Sequence, residues 1–330
     1  MLGPIAWRTP PLGYGPWERV TSLLTEGLVR RGVDVTLFAT GDSITGAELD
    51  AVTPHGYAED PSMDGRVWEA LHVAHAIERS GEFDLVHNQL DWLPLAFSAQ
   101  WRAPMITTIH GFSGPAILPA YVSSTSAFVS ISDSDRSPGL EYLATIHHGI
   151  DATELPCVTE PDDYLVSFGR IHPDKGTAAA VEIARRAGRR LVICGLIHDP
   201  DYFRREVEPH IDGEQVVFLG AVGAEERARV LGQAVALLHP IDFDEPFGLS
   251  VVESMMCGTP VLAYRRGSMA EVIDEGATGS TVASIEEAVS ALPAVLSLNR
   301  RRVHDLAVMR FGVERMVDEY LRVYETVRRR

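Results

Sequence analysis

The stretch Val235–Tyr264, VALLHPIDFDEPFGLSVVESMMCGTPVLAY, reads as one strand–loop–helix–strand unit. Val235–His239 and Pro260–Tyr264 are short apolar runs of strand length, and Leu249–Cys257 is the helix between them. The intervening Asp242–Gly258, DFDEPFGLSVVESMMCG, starts as an acidic loop and passes through Phe247-Gly248-Leu249 into that helix. Short buried strands separated by helices argue for a parallel, doubly wound sheet.

The same rhythm extends toward the N-terminus. Tyr164–Phe168, Arg190–Cys194 and Gln215–Leu219 read as strands, with helices over Thr177–Ala187 and Glu225–Gln233. In the first half, Asp34–Ala39, Phe83–His87, Met105–Ile109 and Ala127–Ile131 read as strands. Trp17–Arg31, Val67–Arg79 and Trp92–Trp101 read as helices. Asp151–Asp163, DATELPCVTEPDD, has two prolines, many acids and no periodicity, and reads as a linker. The expected fold is therefore α/β, with two doubly wound Rossmann-like domains facing each other across a cleft. The expected divisions are an N-terminal domain over 1–155, a second over 156–310, and a closing helix over 311–330. The amphipathic Gly312–Arg329 supplies that helix through Val313, Met316, Val317, Tyr320, Leu321 and Tyr324. Only Met1 and Leu2 precede Gly3-Pro4, so the first strand is either very short or preceded by residues outside this sequence.

A chain of 330 residues is about twice the usual domain length. Its 45% hydrophobic and 23% charged content is ordinary for a globular protein. No apolar run approaches a membrane span, and no signal pattern opens the chain, so a cytoplasmic protein is expected. The three cysteines, Cys157, Cys194 and Cys257, are far apart and read as reduced thiols. A net charge of −17 argues against nucleic acid as a partner and against adsorption to anionic lipid. The arginine clusters Arg300–Arg302 and Arg328–Arg330 read as solvated helix ends. Of 29 basic residues other than histidine, only Lys175 is lysine. Lysine is a compact point charge where arginine is a planar fork, so the one retained lysine points to a specific task.

Four constellations could carry chemistry. In the first, the glycine at 248 lets a ligand approach, and the free N–H groups of the following helix favour an anion such as a diphosphate. Glu245 and Glu253, eight residues apart, suit the paired hydroxyls of a sugar or ribose. The same Ser250-x-x-Glu253 spacing is also that of a capping box, in which Glu253 merely satisfies the helix start. In the second, Phe168–Gly176 (FGRIHPDKG), Gly169, Arg170 and Lys175 follow a strand. Two cations there could grip phosphate oxygens and neutralise a departing diphosphate, or they could sit solvated on a surface turn. In the third, Pro10–Glu18 (PPLGYGPWE), Gly13 and Gly15 could bring amides against phosphate or sugar, although neither a dinucleotide fingerprint nor a Walker A loop is present. The fourth is His110 of TIHGF, at a strand end where α/β proteins bind ligands. A lone histidine is more often structural, as is the pair His147-His148. Asp84-x-x-His87-x-x-x-Asp91 does not put its side chains on one face, so no metal is expected.

GRIHPDKG followed by EPFGLSVVESMMCGTPV resembles the donor-site signature of the family-4 retaining glycosyltransferases of GT-B architecture. YGPWE, TIHGF and HHGID fall in the order that family shows, so the resemblance covers essentially the whole chain. It implies transfer of a sugar from a nucleoside-diphosphate donor, UDP by analogy, to a small-molecule, glycan or glycolipid hydroxyl, without a metal or other cofactor. Arg170 and Lys175 would bind the diphosphate, Glu253 the ribose, and Glu245 the transferred sugar. Phe247, Gly248 and Leu249, with Ser250 beside them, would offer the helix start. His110 would touch the sugar near its reacting carbon, and Gly13 and Gly15 would line the phosphate and acceptor side. Retention would proceed by front-face attack, with the leaving diphosphate helping to deprotonate the acceptor. The family's Gly-Gly-x-Glu loop is here Gly15-Pro16-Trp17-Glu18, where Pro16 removes one amide donor. His148 stands where the family often has asparagine. A nucleotide-sugar epimerase of the same architecture and a non-catalytic sugar-nucleotide sensor are the alternatives. The first needs an acid–base set around the sugar, and the second the loss of donor-site residues.

Overall fold

The structure, a computed structural model, describes residues 1–111 and 114–329. Phe112 of the TIHGF motif and Arg330 of the terminal arginine cluster lie outside them. The chain divides into two compact units, Met1–Ile150 with Val313–Arg330, and Asp151–Gly312.

The second unit holds one six-stranded parallel sheet. The first unit holds β1 Thr36–Phe38, β2 Glu48–Asp50, β3 Val86–Asn88, β4 Met105–Ile109, β5 Ala127–Ser130 and β6 Tyr142–Thr145. In the second unit β7 is Leu165–Phe168, β8 Leu191–Cys194, β9 Val216–Gly220, β10 Ala236–His239, β11 Val261–Tyr264 and β12 Gly279–Val282. The sheet order is β12-β11-β10-β7-β8-β9. This is the doubly wound arrangement, and it reverses direction between β7 and β10. Leu165, Leu191, Ala236 and Leu262 carry the strand side of the core, against Ala180, Val181 and Ala184 of the helix Thr177–Arg186.

The first unit follows the same plan around a very short first strand. Leu2 bridges Phe38 on one side and Asn88 on the other, both in parallel. It thereby joins β1-β2 to the β3-β4-β5-β6 sheet, so that the direction reverses between Leu2 and β3. The helix Pro16–Arg30 follows the Leu2 loop, and the C-terminal helix Val313–Arg328 packs on it.

Most expected elements form within a residue or two of their expected bounds. Trp92–Trp101 is a correction: the segment is a 3-10 helix, Leu93–Gln100, with Phe97 out of helical geometry. Its apolar residues Leu93, Leu95 and Phe97 recur every second position, which offers an α-helix no continuous face. The edge strands β2, β6 and β12 and the helices Ile285–Leu296 and Arg300–Phe311 carried no sequence expectation. Arg300 is a second correction. Rather than sitting solvated, it donates to the carbonyls of Gly232 at 2.6 Å and Ala234 at 2.8 Å and to Thr259 Oγ1 at 2.7 Å. It thus brackets the turn that precedes β10. The three cysteines are free thiols.

Candidate active site

In a doubly wound sheet the loops leaving the two strands that flank the reversal diverge, and ligands bind in the crevice between them. In the second unit those loops are Gly169–Gly176, after β7, and Pro240–Gly248, after β10. They touch closely. The amide of Asp242 donates to the Asp174 carbonyl at 2.7 Å. Gly176 has φ 66°, and a Cβ there would lie 1.8 Å from the Pro240 carbonyl oxygen, so glycine alone permits this approach.

Across this junction Lys175 Nζ donates to Glu245 Oε2 at 2.7 Å, with side chains only 18% and 12% exposed. His239, the last residue of β10, places Nε2 3.6 Å from the same oxygen. Lys175 also lies 4.4 Å from the centroid of the Phe243 ring. Burial alone would raise the Glu245 carboxyl, but the close approach of His239 and the Lys175 ammonium outweigh it and bring it down to about 2. Glu245 is therefore ionised near neutrality. Its backbone is held from the β11 side, where Ser268 N–H donates to the Glu245 carbonyl at 2.9 Å and Ser268 Oγ to the Phe247 carbonyl at 3.0 Å.

The helix Leu249–Met256 starts at Gly248, whose φ of 88° turns the chain from loop to helix. Val251 and Val252 donate to the Gly248 carbonyl, so Leu249 and Ser250 sit ahead of the first intrahelical bond. Ser250 lies inside the helix and the N-cap is Gly248 with no side-chain cap, so the capping-box arrangement does not form. Glu253, 4% exposed, instead lies 3.5 Å from Arg227 Nη1, contributed by the helix Ala224–Gln233. Arg227 was not picked out from the sequence, because helix AEERARVLGQ carries charge on most of its turns and nothing local marks this one. Phe247 is buried with its ring edge-on to Phe311.

The structure thus brings Lys175, Glu245 and the Gly248–Leu249 helix start together. Arg170 lies in the same β7 loop, with Nη2 3.6 Å from Asp174 Oδ2, and Gly169 donates to Cys194 at the end of β8. A cavity of about 650 Å³ is lined from the same two loops by Pro173, Gly176, Pro240 and Asp242. None of Arg170, Lys175, Glu245 or Glu253 lines it, so it is not assigned to the donor.

Gly13, Gly15 and His110 belong to the first unit. Gly13 is exposed in the loop after Leu2, and Gly15 is the N-cap of the helix Pro16–Arg30. Pro16 occupies N1, where an amide would have no intrahelical partner and where the proline φ suits the helix. Glu18 in the first turn is 3% exposed, accepts from the Trp7 amide at 3.1 Å, and is pushed by burial up to about 7. His110 follows β4 and is buried, its ring stacked with those of Trp17 and His148. Among the described residues no group of three or more His, Cys, Asp or Glu side chains is placed to hold a metal, and no helix is long and apolar enough to cross a membrane.

A cation, a carboxylate and a helix start at the reversal point of a doubly wound unit form an arrangement that can hold an anionic, hydroxyl-bearing ligand. The comparisons with known proteins agree. The model described as Glycosyl transferases group 1 matches residues 158–305, and that described as Glycosyltransferase Family 4 matches residues 17–153. The chain belongs to this glycosyltransferase family and is an enzyme of that class. It is similar to a glycogen synthase of Mycobacterium tuberculosis, at 27% identity over 84% of this chain and 81% of that protein. Two solved structures share its fold. AviGT4, a glycosyltransferase involved in avilamycin A biosynthesis, has a TM-score of 0.77 at 23% identity over 99% of this chain and 97% of that one. Anabaena HepE, solved in complex with UDP and glucose, has a TM-score of 0.73 at 15% identity over 94% of this chain and 96% of that one.

Proposed function

We propose that this glycosyltransferase moves a hexosyl group from a UDP-sugar to an acceptor hydroxyl with retention of anomeric configuration, without a metal, in the cytoplasm. The observation that carries the donor assignment is the Lys175–Glu245 pair at 2.7 Å beside the Gly248–Leu249 helix start. Each partner has an obvious second task. A diphosphate draws Lys175, together with Arg170 and the helix amides, onto its oxygens. Glu245, held ionised, then accepts from hydroxyls of the transferred sugar. Glu253, oriented by Arg227, accepts from the ribose.

Charge that builds on the leaving diphosphate meets fixed positive groups in a partly dehydrated site, where each is worth more than in water. Lys175, Arg170 and the helix dipole supply those groups in place of a metal. The UDP preference follows the UDP-bound relative, and the acceptor stays open as small molecule, glycan or glycolipid.

A thermal-shift screen of UDP-, GDP- and ADP-sugars on the intact chain tests the donor assignment. UDP-sugars should raise the melting temperature, and Lys175→Ala and Glu253→Ala should each abolish that rise. A rise of unchanged size in both variants removes the site from consideration. With the best donor, the anomeric proton coupling of the product reads retention, and activity that disappears in EDTA and returns with a divalent ion contradicts the metal-free step.

A further inference from the structure

We propose that Gln89 is a positioning residue that holds the His110 imidazole with its proton on Nε2 and its Nδ1 as a bare acceptor. The inference rests on the reading of His110 as a sugar contact.

Gln89 and His110 each follow a strand of one parallel pair, β3 and β4. His110 Nε2 lies 2.6 Å from Gln89 Oε1. The amide nitrogen of Gln89 lies 3.1 Å from His87 Nε2. That His87 nitrogen also meets Thr108 Oγ1 at 2.8 Å, while His87 Nδ1 meets Tyr324 Oη at 2.6 Å. Thr108 Oγ1 in turn meets Tyr320 Oη at 2.7 Å. Gln89, His87, Thr108, Tyr320 and His110 are all buried. The chain of bonds therefore runs from the C-terminal helix Val313–Arg328, through two strands, to His110.

The protons follow from what each atom can do. Burial pulls both imidazoles down, His110 to about 3, so both are neutral near pH 7 with one donor and one acceptor nitrogen each. The Gln89 oxygen only accepts, so His110 Nε2 donates to it. The Gln89 amide nitrogen only donates, so His87 Nε2 accepts and His87 Nδ1 donates to Tyr324. Thr108 donates to His87 and receives from Tyr320. Turning the Gln89 amide over would reverse both tautomers at once and put a proton on His110 Nδ1. That atom is buried and has no partner among the described residues, so the reversed state strands an N–H without an acceptor. In the arrangement assigned here Nδ1 carries a lone pair, which suits a hydroxyl that donates to it. The ring is buried and stacks with Trp17 at 5.3 Å and with His148 at 5.2 Å, which resists its swinging away.

The tautomer is readable without turnover. Long-range proton–nitrogen correlation of the 15N-labelled full chain, with His110 assigned by the signals lost in His110→Ala, should show a single form protonated at Nε2. Gln89→Leu should lose that single form and lower kcat for UDP release from UDP-glucose about tenfold, the scale of one lost hydrogen bond, with KM little changed. Gln89→Glu keeps an acceptor opposite Nε2 and should retain the form and most of the rate. A wild-type His110 protonated at Nδ1, a single Nε2–H form that survives Gln89→Leu, or a lost form with unchanged kcat would each overturn the proposal. A wild-type chain with the expected tautomer that releases no UDP supports the arrangement at Gln89 and sinks the donor reading alone.

Discussion

At the residue scale, two buried carboxylates of the same chemistry are driven in opposite directions by their neighbours. Glu245 has a cation and a histidine against it and stays ionised, whereas Glu18 has backbone amides and no cation to offset its burial. Raising the folded pKa of Glu18 from 4.5 to about 7 favours the folded state below pH 4.5, and this contribution is lost as pH rises through 7. Glu18→Gln, which keeps the acceptor for Trp7, should therefore gain stability over the wild type by about 2 kcal/mol between pH 5 and pH 8. Urea titrations at the two pH values read this, and a difference that does not change with pH refutes it. Lys175 offers a second test because it is the only lysine. Reductive 13C-methylation of the intact chain adds one side-chain signal beside that of the N-terminus, and UDP should move it. A titration to saturation that leaves the signal in place denies Lys175 its contact with the diphosphate.

At the element scale, the short glycine-started helix Leu249–Met256 and the C-terminal helix Val313–Arg328 do different work. The first presents its start to the β7 loop, and its sequence alone left a capping box as open as a ligand site. The N-cap at Gly248, with no side-chain cap, removes the capping box. The second is fastened to the first unit by close packing on the helix Pro16–Arg30. A Cβ on Gly27 would lie 2.3 Å from Val317 Cγ2. Gly27→Ala should accordingly destabilise the chain by about 1–3 kcal/mol despite the better helix propensity of alanine. Adding Val317→Ala should recover part of the loss. Chemical denaturation of the single and double variants measures both, and additive losses would show that the two side chains do not meet.

At the scale of the whole molecule, the division into two units separates the tasks. The residues assigned to the diphosphate, the ribose and the sugar hydroxyls through Glu245 all lie within Asp151–Gly312. UDP should therefore slow hydrogen exchange at the amides of Gly169–Gly176 and Asp242–Glu253. Exchange in those two segments that UDP leaves unaltered would place the nucleotide elsewhere. The net charge of −17 gives no long-range attraction for an anionic ligand, so the proposed donor site relies on the local cations Arg170 and Lys175.

The sequence by itself determined the layered α/β architecture, because strand-length apolar runs and amphipathic helices alternate along most of the chain. It also made the candidate donor motif legible, since FGRIHPDKG and DFDEPFGLSVVE each keep their chemistry within a few consecutive residues. Edge strands such as Gly279–Val282 escaped it, because a short polar segment becomes a strand only when a neighbour completes its hydrogen bonds. Only the tertiary structure decided the partners: Arg227 for Glu253, Gln89 for His110, and Arg300 for carbonyls near the β10 turn. These contacts join residues separated by 21 to 68 positions, and no local spacing rule reaches that far. Burial then shifts the groups it encloses, raising Glu18 and lowering His110, because desolvation depends on the whole surrounding shell rather than on any neighbour in the chain.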